Sequence, residues 1–163
     1  MEYLIRKAEM KDLPRIEAIY AYARRFMAEN GNPNQWGNTT PKTELLLDDI
    51  SKGDLFVLIH DDEIHGVFYF YIGPDPTYGV IEDGQWRSDT PYGTIHRIAG
   101  DGSGGVLAAA VAFGKQRIRH LRIDTHDDNK IMQRAVAKFG FQRAGIIHLA
   151  NGSPRIAYDL LIP

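Results

Sequence analysis

Between Tyr92 and Thr125 the sequence sets out a strand, a glycine turn, a helix and a second strand. The first segment, Tyr92–Ala99, is β-branched and apolar, and Gly100-Asp101-Gly102-Ser103-Gly104-Gly105 then places four glycines in six residues. Val106–Gln116 is dense in alanine and reads as a helix, and Leu121–Thr125 reads as a buried strand. Two strands joined through a helix run parallel, with a right-handed crossover. That unit excludes an all-helical bundle and a purely antiparallel sandwich.

The flanking segments complete the element order. Tyr3–Lys7 reads as a short strand. Asp12 is a candidate cap for a helix whose Leu13, Ile16, Ile19, Tyr20, Ala23 and Met27 share one face at helical spacing. Asn30–Asn34 breaks that helix, and a shorter one starts at Thr40 or Thr43 and runs to about Ser51. Leu55–His60 and Ile64–Ile72 are strands, with Asp61-Asp62 suited to the tight turn between them. Residues 73–91, rich in Gly and Pro, read as a long surface loop, and loops of that length in a compact domain tend to carry function. Asp128 or Asn129 opens a helix to Phe139, Gly140 suits a left-handed C-cap, and Phe141–His148 and Arg155–Leu161 are the last strands. The expected architecture is α/β (mixed α+β): one domain over 1–163, with a central twisted mixed sheet of about seven strands and about four helices.

Composition removes several classes of function. The chain has no cysteine, which excludes disulfides, thiolate metal sites and a cysteine nucleophile. Nineteen Lys and Arg against 21 Asp and Glu give a net charge of −2, so nothing suggests a nucleic-acid partner. The basic run Lys115, Arg117, Arg119 and Arg122 has no interleaved aromatics and reads as a solvated helix end. The longest apolar run, Val106–Phe113, falls far below the roughly 20 residues of a membrane span. Residues 1–7 carry Glu2, Arg6 and Lys7, so neither an export signal nor a membrane partner is expected. A cytoplasmic location is the expectation.

The glycine turn is the strongest chemical feature. A turn of this kind aims backbone N–H groups and the positive end of a helix dipole at one point, which suits a phosphate or diphosphate. The bland alternative is a flexible turn at a helix start. Neither a nucleotide-triphosphatase loop nor a dinucleotide fingerprint is present. A serine-hydrolase elbow would need glycine at position 101, where Asp101 stands. Asp124, His126, Asp127 and Asp128 are a weak metal set because consecutive residues rarely converge on one ion; no metal is expected.

The run Arg122-Ile123-Asp124-Thr125-His126-Asp127-Asp128-Asn129, then Lys130–Phe139, then Gly140-Phe141, resembles the GNAT superfamily of acetyl-CoA-dependent N-acetyltransferases. The resemblance covers nearly the whole chain. It is nearest to a bacterial subgroup carrying Gln35-Trp36, Asp83-Gly84-Gln85-Trp86, Ile95-His96-Arg97-Ile98-Ala99 and Met132-Gln133. It implies acetyl-CoA as co-substrate and direct transfer to a primary amine in a ternary complex. By that match, Ile98, Ala99 and Gly100 belong to the strand whose backbone pairs with pantetheine. Ser103, Gly104, Gly105 and Val106 belong to the diphosphate turn, and Asn129 contacts the pantetheine arm. The gap between the strand Ile95–Ala99 and Leu121–Thr125 would admit the thioester.

Two departures stand out. The family turn reads Gln/Arg-x-x-Gly-x-Gly/Ala, whereas this one is shorter and has Asp101-Gly102 there. The family's tyrosine, seven residues after the Asn, is Val136 here. Both feed the alternative of a non-catalytic acyl-CoA sensor or regulatory domain.

For the chemistry, His96 stands where the family often has a glutamate, and a neutral imidazole can take a proton near pH 7. Its alternative is a histidine satisfied by cross-strand hydrogen bonds. Arg97 is expected on the opposite face, as a pairing residue. Asp124 and His126 share a strand face by period two, so the Asp can orient the His as a second candidate base; alternatively both cap the next helix. Gln35, Trp36 and Trp86 lie on the loops that flank the acceptor in this family, and suggest an aromatic-walled site for a small-molecule amine or ordinary lid packing. Glu82 and Asp83 could attract a cationic amine or simply face solvent. A homodimer stays open, since Val67–Ile72 could serve as core, lid or interface.

Overall fold

The computed structural model describes residues 2–163. The strands are β1 (Leu4–Lys7), β2 (Leu55–His60), β3 (Glu63–Ile72), β4 (Gly93–Gly100), β5 (His120–Thr125), β6 (Gln142–His148) and β7 (Pro154–Leu161). The helices are α1 (Leu13–Glu29), α2 (Thr43–Lys52), α3 (Val106–Lys115) and α4 (Lys130–Lys138). The sheet order is β1-β2-β3-β4-β5-β7-β6. β2 is antiparallel to β1 and β3, β4 is parallel to β5, and β7 is antiparallel to β5 and β6. This is the mixed seven-stranded, four-helix architecture expected from the sequence.

The chain divides into two compact units, residues 2–70 with His96–Ala110, and Tyr71–Ile95 with Val111–Pro163. β4 and α3 each run from one unit into the other along the chain.

In the first unit the apolar face of α1 (Ile16, Ile19, Tyr20, Ala23) packs with Leu46 and Ile50 of α2 and with Leu55, Val57, Val67 and Ala99 of the sheet. Truncating a fully buried member such as Leu46 to Ala costs about 2–5 kcal/mol. Asp61 and Asp62 both have positive φ, 51° and 63°, the backbone of a two-residue turn matched to strand twist. Asp12 does not cap α1. Its carboxylate instead receives a fork from Arg6 at 2.7 and 3.0 Å and the Glu9 N–H at 2.8 Å. Arg6 holds the Asp12 carboxyl below the usual carboxylate range despite burial.

Glycine fixes how closely α3 approaches the strands beside it. A Cβ at Gly66 or at Gly100 would lie 2.9 Å from the same Val106 Cγ2. In the second unit, β6 bulges between Arg143 and Gly145, and the Ala144 carbonyl occupies the space that a Gly84 Cβ would need, at 2.0 Å.

The segment 73–92 is more ordered than a surface loop. It contains a 3-10 turn at Pro76–Tyr78 and pairs Glu82 with Ile146 through backbone bonds of 2.8 and 2.7 Å. Arg87 grips the fully buried Asp159 by its backbone N–H (2.9 Å) and Nε (2.5 Å), and its Nη2 reaches the Asp159 carbonyl (2.9 Å). Arg122 lies between the rings of Trp86 and Tyr92, 3.9 and 3.8 Å from their centroids, and donates to the Ser88 carbonyl. The loop is therefore a wall pinned from beneath.

Candidate functional site

In the first unit, β4 carries a non-glycine residue at positive φ, Arg97 at 50°. This breaks the regular pleat. The Tyr69 ring lies 5.8 Å from the His96 ring and only 4.4 Å below the Arg97 guanidinium, so both side chains reach one ring. Arg97 does not point opposite His96, as the alternation predicted, because the left-handed residue rotates the strand between them. Tyr20 Oη donates to the Arg97 carbonyl at 2.7 Å, and Arg97 Nη2 meets the buried Asp49 carboxylate at 2.7 Å. The pairing expected for Arg97 is thus found, with Asp49. Burial pushes the Asp49 carboxyl up, and the guanidinium only partly offsets it.

Beyond β4 the chain enters the glycine turn. Gly102, Gly104 and Gly105 all have positive φ. At Gly102 a Cβ would meet the Tyr22 hydroxyl at 2.7 Å, whereas at Gly104 it would meet nothing within 4 Å. The turn is backed by α1 on one side and open at Gly104. Ala109 N–H bonds the Gly105 carbonyl at 3.0 Å, so the N–H groups of Val106, Leu107 and Ala108 belong to the first helical turn and have no acceptor within the helix. Ser103, Gly104 and Gly105 are exposed, and Ala99 and Val106 are buried beneath them. An open bend of positive-φ glycines leading into a helix N-terminus fits an anionic diphosphate.

Asp101 opens the turn and is well connected. Its Oδ1 accepts from Ser103 N–H at 3.0 Å, and its Oδ2 accepts from His65 Nδ1 at 2.8 Å and Arg15 Nη2 at 2.9 Å. Desolvation pushes the Asp101 carboxyl up, but the bonds from Ser103 and His65 outweigh it and hold it below the ordinary value. Tyr3 Oη donates to the Gly104 carbonyl at 2.6 Å. Arg15, His65 and Tyr3 escaped the sequence reading. The available signal was a histidine inside an otherwise apolar strand.

The predicted acceptor-side residues have internal contacts. Gln35 Oε1 accepts from the buried Asn32 at 2.8 Å, and Trp36 packs edge-on against Tyr20 at 5.5 Å. In the second unit, Trp86 Nε1 donates to the Tyr78 carbonyl at 3.0 Å and its ring lies 5.0 Å from that of Tyr78.

Asp124 and His126, read as a pair, have different partners. Asp124 Oδ1 accepts from Tyr78 Oη at 2.6 Å, and burial together with the Asp124 charge keeps the Tyr78 phenol protonated well above its ordinary range. His126 Nδ1 accepts the Asp128 backbone N–H at 3.0 Å, which places the ring hydrogen on Nε2. Asn129 caps α4 through Oδ1, which accepts from Met132 N–H at 3.0 Å. Glu82 joins β6, and Asp83 pairs with Arg143 at 2.8 Å. Val136 is fully buried where the resembled family has its tyrosine. The parallel ladder between β4 and β5 pairs Gly93 with Leu121 and Thr94 with Arg122, and Asp124 lies two residues beyond it. Among the described residues no group of three or more His, Asp or Glu is placed to hold a metal ion, and no helix is long and apolar enough to cross a membrane.

Searches with family models and among curated proteins give no match. Solved structures do match. A GNAT-family acetyltransferase from Streptococcus agalactiae is 29% identical over 99% of this chain and 96% of its own, with a TM-score of 0.87. A GNAT-family acetyltransferase from Listeria monocytogenes (18%, TM-score 0.72) covers 98% of this chain and 95% of its own. The N-acetylglutamate synthase from Neisseria gonorrhoeae, solved with coenzyme A and N-acetyl-glutamate, matches all of this chain with 36% of its own (17%, TM-score 0.62). The last two show a shared fold. That fold is the one of acyl-CoA N-acyltransferases. The likeness to the 29%-identical structure supports a GNAT superfamily assignment and acetyl transfer as the class of activity.

Proposed function

We propose that the chain acts as one GNAT domain that moves an acetyl group from acetyl-CoA to a primary amine, in a ternary complex, with a small-molecule amine as acceptor. The observation that carries this reading is the end of β4, with its left-handed Arg97, running into an open turn of positive-φ glycines at the start of α3. Ile98, Ala99 and Gly100 offer the strand backbone, and Ser103–Val106 the diphosphate seat. Asn129 is the residue proposed to contact the pantetheine arm. The coenzyme A reported in the Neisseria structure supports the same co-substrate here. A bacterial, cytoplasmic setting belongs to the same proposal.

An amine of pKa near 10 must lose a proton before attack, which costs about 4 kcal/mol at pH 7. His96, on β4 beside the Tyr69 ring, is the proposed base, acting directly or through water. Asp124 and His126 are proposed to position the acceptor; for His126, only Nε2 can serve, since Nδ1 is committed to the Asp128 N–H. Gln35, Trp36 and Trp86 are the proposed acceptor walls. No metal is needed in this scheme.

Calorimetric titration with acetyl-CoA, against free CoA and adenosine diphosphate, tests the seat. Micromolar binding supports it, and no binding up to about a millimolar, near −4 kcal/mol, overturns it. With a substrate found by thiol-release screening of amines, His96→Ala should lower turnover about 10²–10⁴-fold while acetyl-CoA affinity stays constant. Unchanged turnover removes His96 from the role. The buried Val136 favours a second reading, an acyl-CoA sensor: tight acetyl-CoA binding without turnover on any amine would select it.

A further inference from the structure

A carboxylate at the mouth of an anion seat is the wrong charge in isolation, yet Asp101 stands there. Three donors from three places meet it: Ser103 N–H from the turn itself, His65 Nδ1 from β3 and Arg15 Nη2 from α1. Arg15 is fixed a second time by its Nε, which donates to the Ile64 carbonyl at 2.9 Å. Its side chain remains 45% exposed, and its Nη1 has no hydrogen bond among the described residues. The guanidinium is thus oriented at one edge and presented to solvent at the other.

His65 has a defined orientation too. Its Nδ1 faces the Asp101 carboxylate, so that nitrogen carries the hydrogen. Ser103 Oγ lies 3.1 Å from the same nitrogen. A nucleophilic serine would need the opposite ring nitrogen, so the Asp–His–Ser grouping is no hydrolytic triad. Around it stand Tyr3, whose ring is 6.3 Å from His65 and whose hydroxyl holds the Gly104 carbonyl, and the His60 ring at 6.4 Å. These contacts set one partly exposed guanidinium, held by Asp101, beside the open face of the turn, at the place where the sequence lacks a basic residue.

We propose that Arg15, tethered by Asp101 and accompanied by His65, is the cation that meets the diphosphate of acetyl-CoA at this turn. The inference rests on the reading of the turn as the acetyl-CoA seat. Asp101 is then a positioning residue, and the charge usually carried within such a turn arrives from α1 and β3.

Calorimetric titration of wild type, Arg15→Gln, Arg15→Lys and Asp101→Asn with acetyl-CoA, at about 0.05 and 0.5 M salt, tests this. Removing one charge-assisted contact should weaken Arg15→Gln binding about tenfold and flatten its salt dependence, because a screened charge pair has been lost. Arg15→Lys should recover part of the affinity. Asp101→Asn keeps an acceptor for the Ser103 N–H but loosens Arg15, and should also bind more weakly. Thermal unfolding of each variant separates lost contact from lost fold. Arg15→Gln binding within twofold of wild type, or weakened with an unchanged salt slope, overturns the proposal. Tighter binding by Asp101→Asn also overturns it, since Asp101 would then be only a repelling charge. A wild type that fails to bind acetyl-CoA would reject the seat itself, and the inference with it; tight wild-type binding beside an indifferent Arg15→Gln rejects the inference alone.

Discussion

The turn at 100–105 and the wall at 73–92 draw on the same residue types, yet they behave as opposites. Glycine in the turn keeps it open: at Gly104 nothing lies within 4 Å of where a side chain would start. Glycine in the wall lets it close: Gly84 admits the Ala144 carbonyl against its own backbone. Their ion pairs differ in the same sense. The turn's Asp101 is held by side chains that remain partly exposed, whereas the wall's Arg87 is fixed by a fully buried partner, Asp159 of β7. Glycine content reports backbone shape; whether a segment is presented or packed depends on what lies behind it.

Substitutions can break that contrast. The largest effect is expected for Asp159→Ala, which strips Arg87 of its partner and should cost about 3–5 kcal/mol in denaturant unfolding. Hydrogen exchange over 84–90 should rise with it. Gly84→Ala forces a Cβ onto the Ala144 carbonyl and should cost about 3 kcal/mol, with the Glu82–Ile146 amides losing protection. Gly104→Ala has space but a left-handed backbone, so its cost should be only about 1–2 kcal/mol while acetyl-CoA affinity falls. Equal destabilisation by Gly84→Ala and Gly104→Ala would erase the distinction between the two regions.

The smallest effect concerns pH. The folded-state carboxyl of Asp101 lies below its unfolded value, so its contribution is present above about pH 4 and fades as pH falls through the folded value. Thermal scans from pH 3 to 7 should therefore show a shallower acid limb for Asp101→Asn. An identical acid limb would mean that the network around the turn is not held by that charge.

Local signals in the sequence carried far. The Asp61-Asp62 turn, the Asn129 cap and the left-handed Gly140 depend on neighbours within a few residues, and each is found at its expected place. What escaped depends on distant partners. Arg87 finds Asp159 seventy-two positions away, and Tyr78 finds Asp124 forty-six away. Asp12 illustrates the competition: a good capping residue was drawn off by the fork of Arg6, a stronger charge-assisted contact. Period-two reasoning failed at His96 and Arg97 for a related reason, since one left-handed residue reset the alternation. For the proposed site, the turn and its helix start were legible, whereas the side chains that surround Asp101 were not.

Gly66 and Gly100 both face the same methyl of Val106. Their histories are therefore coupled. A side chain gained at either glycine is barred while valine stands at 106, yet it becomes admissible once 106 has shrunk. Single-step mutational surveys would score both glycines as fixed, whereas changes paired with a smaller residue at 106 should pass. In lineages descended from this sequence, the three positions are expected to drift together, in a set order, with Val106 moving first.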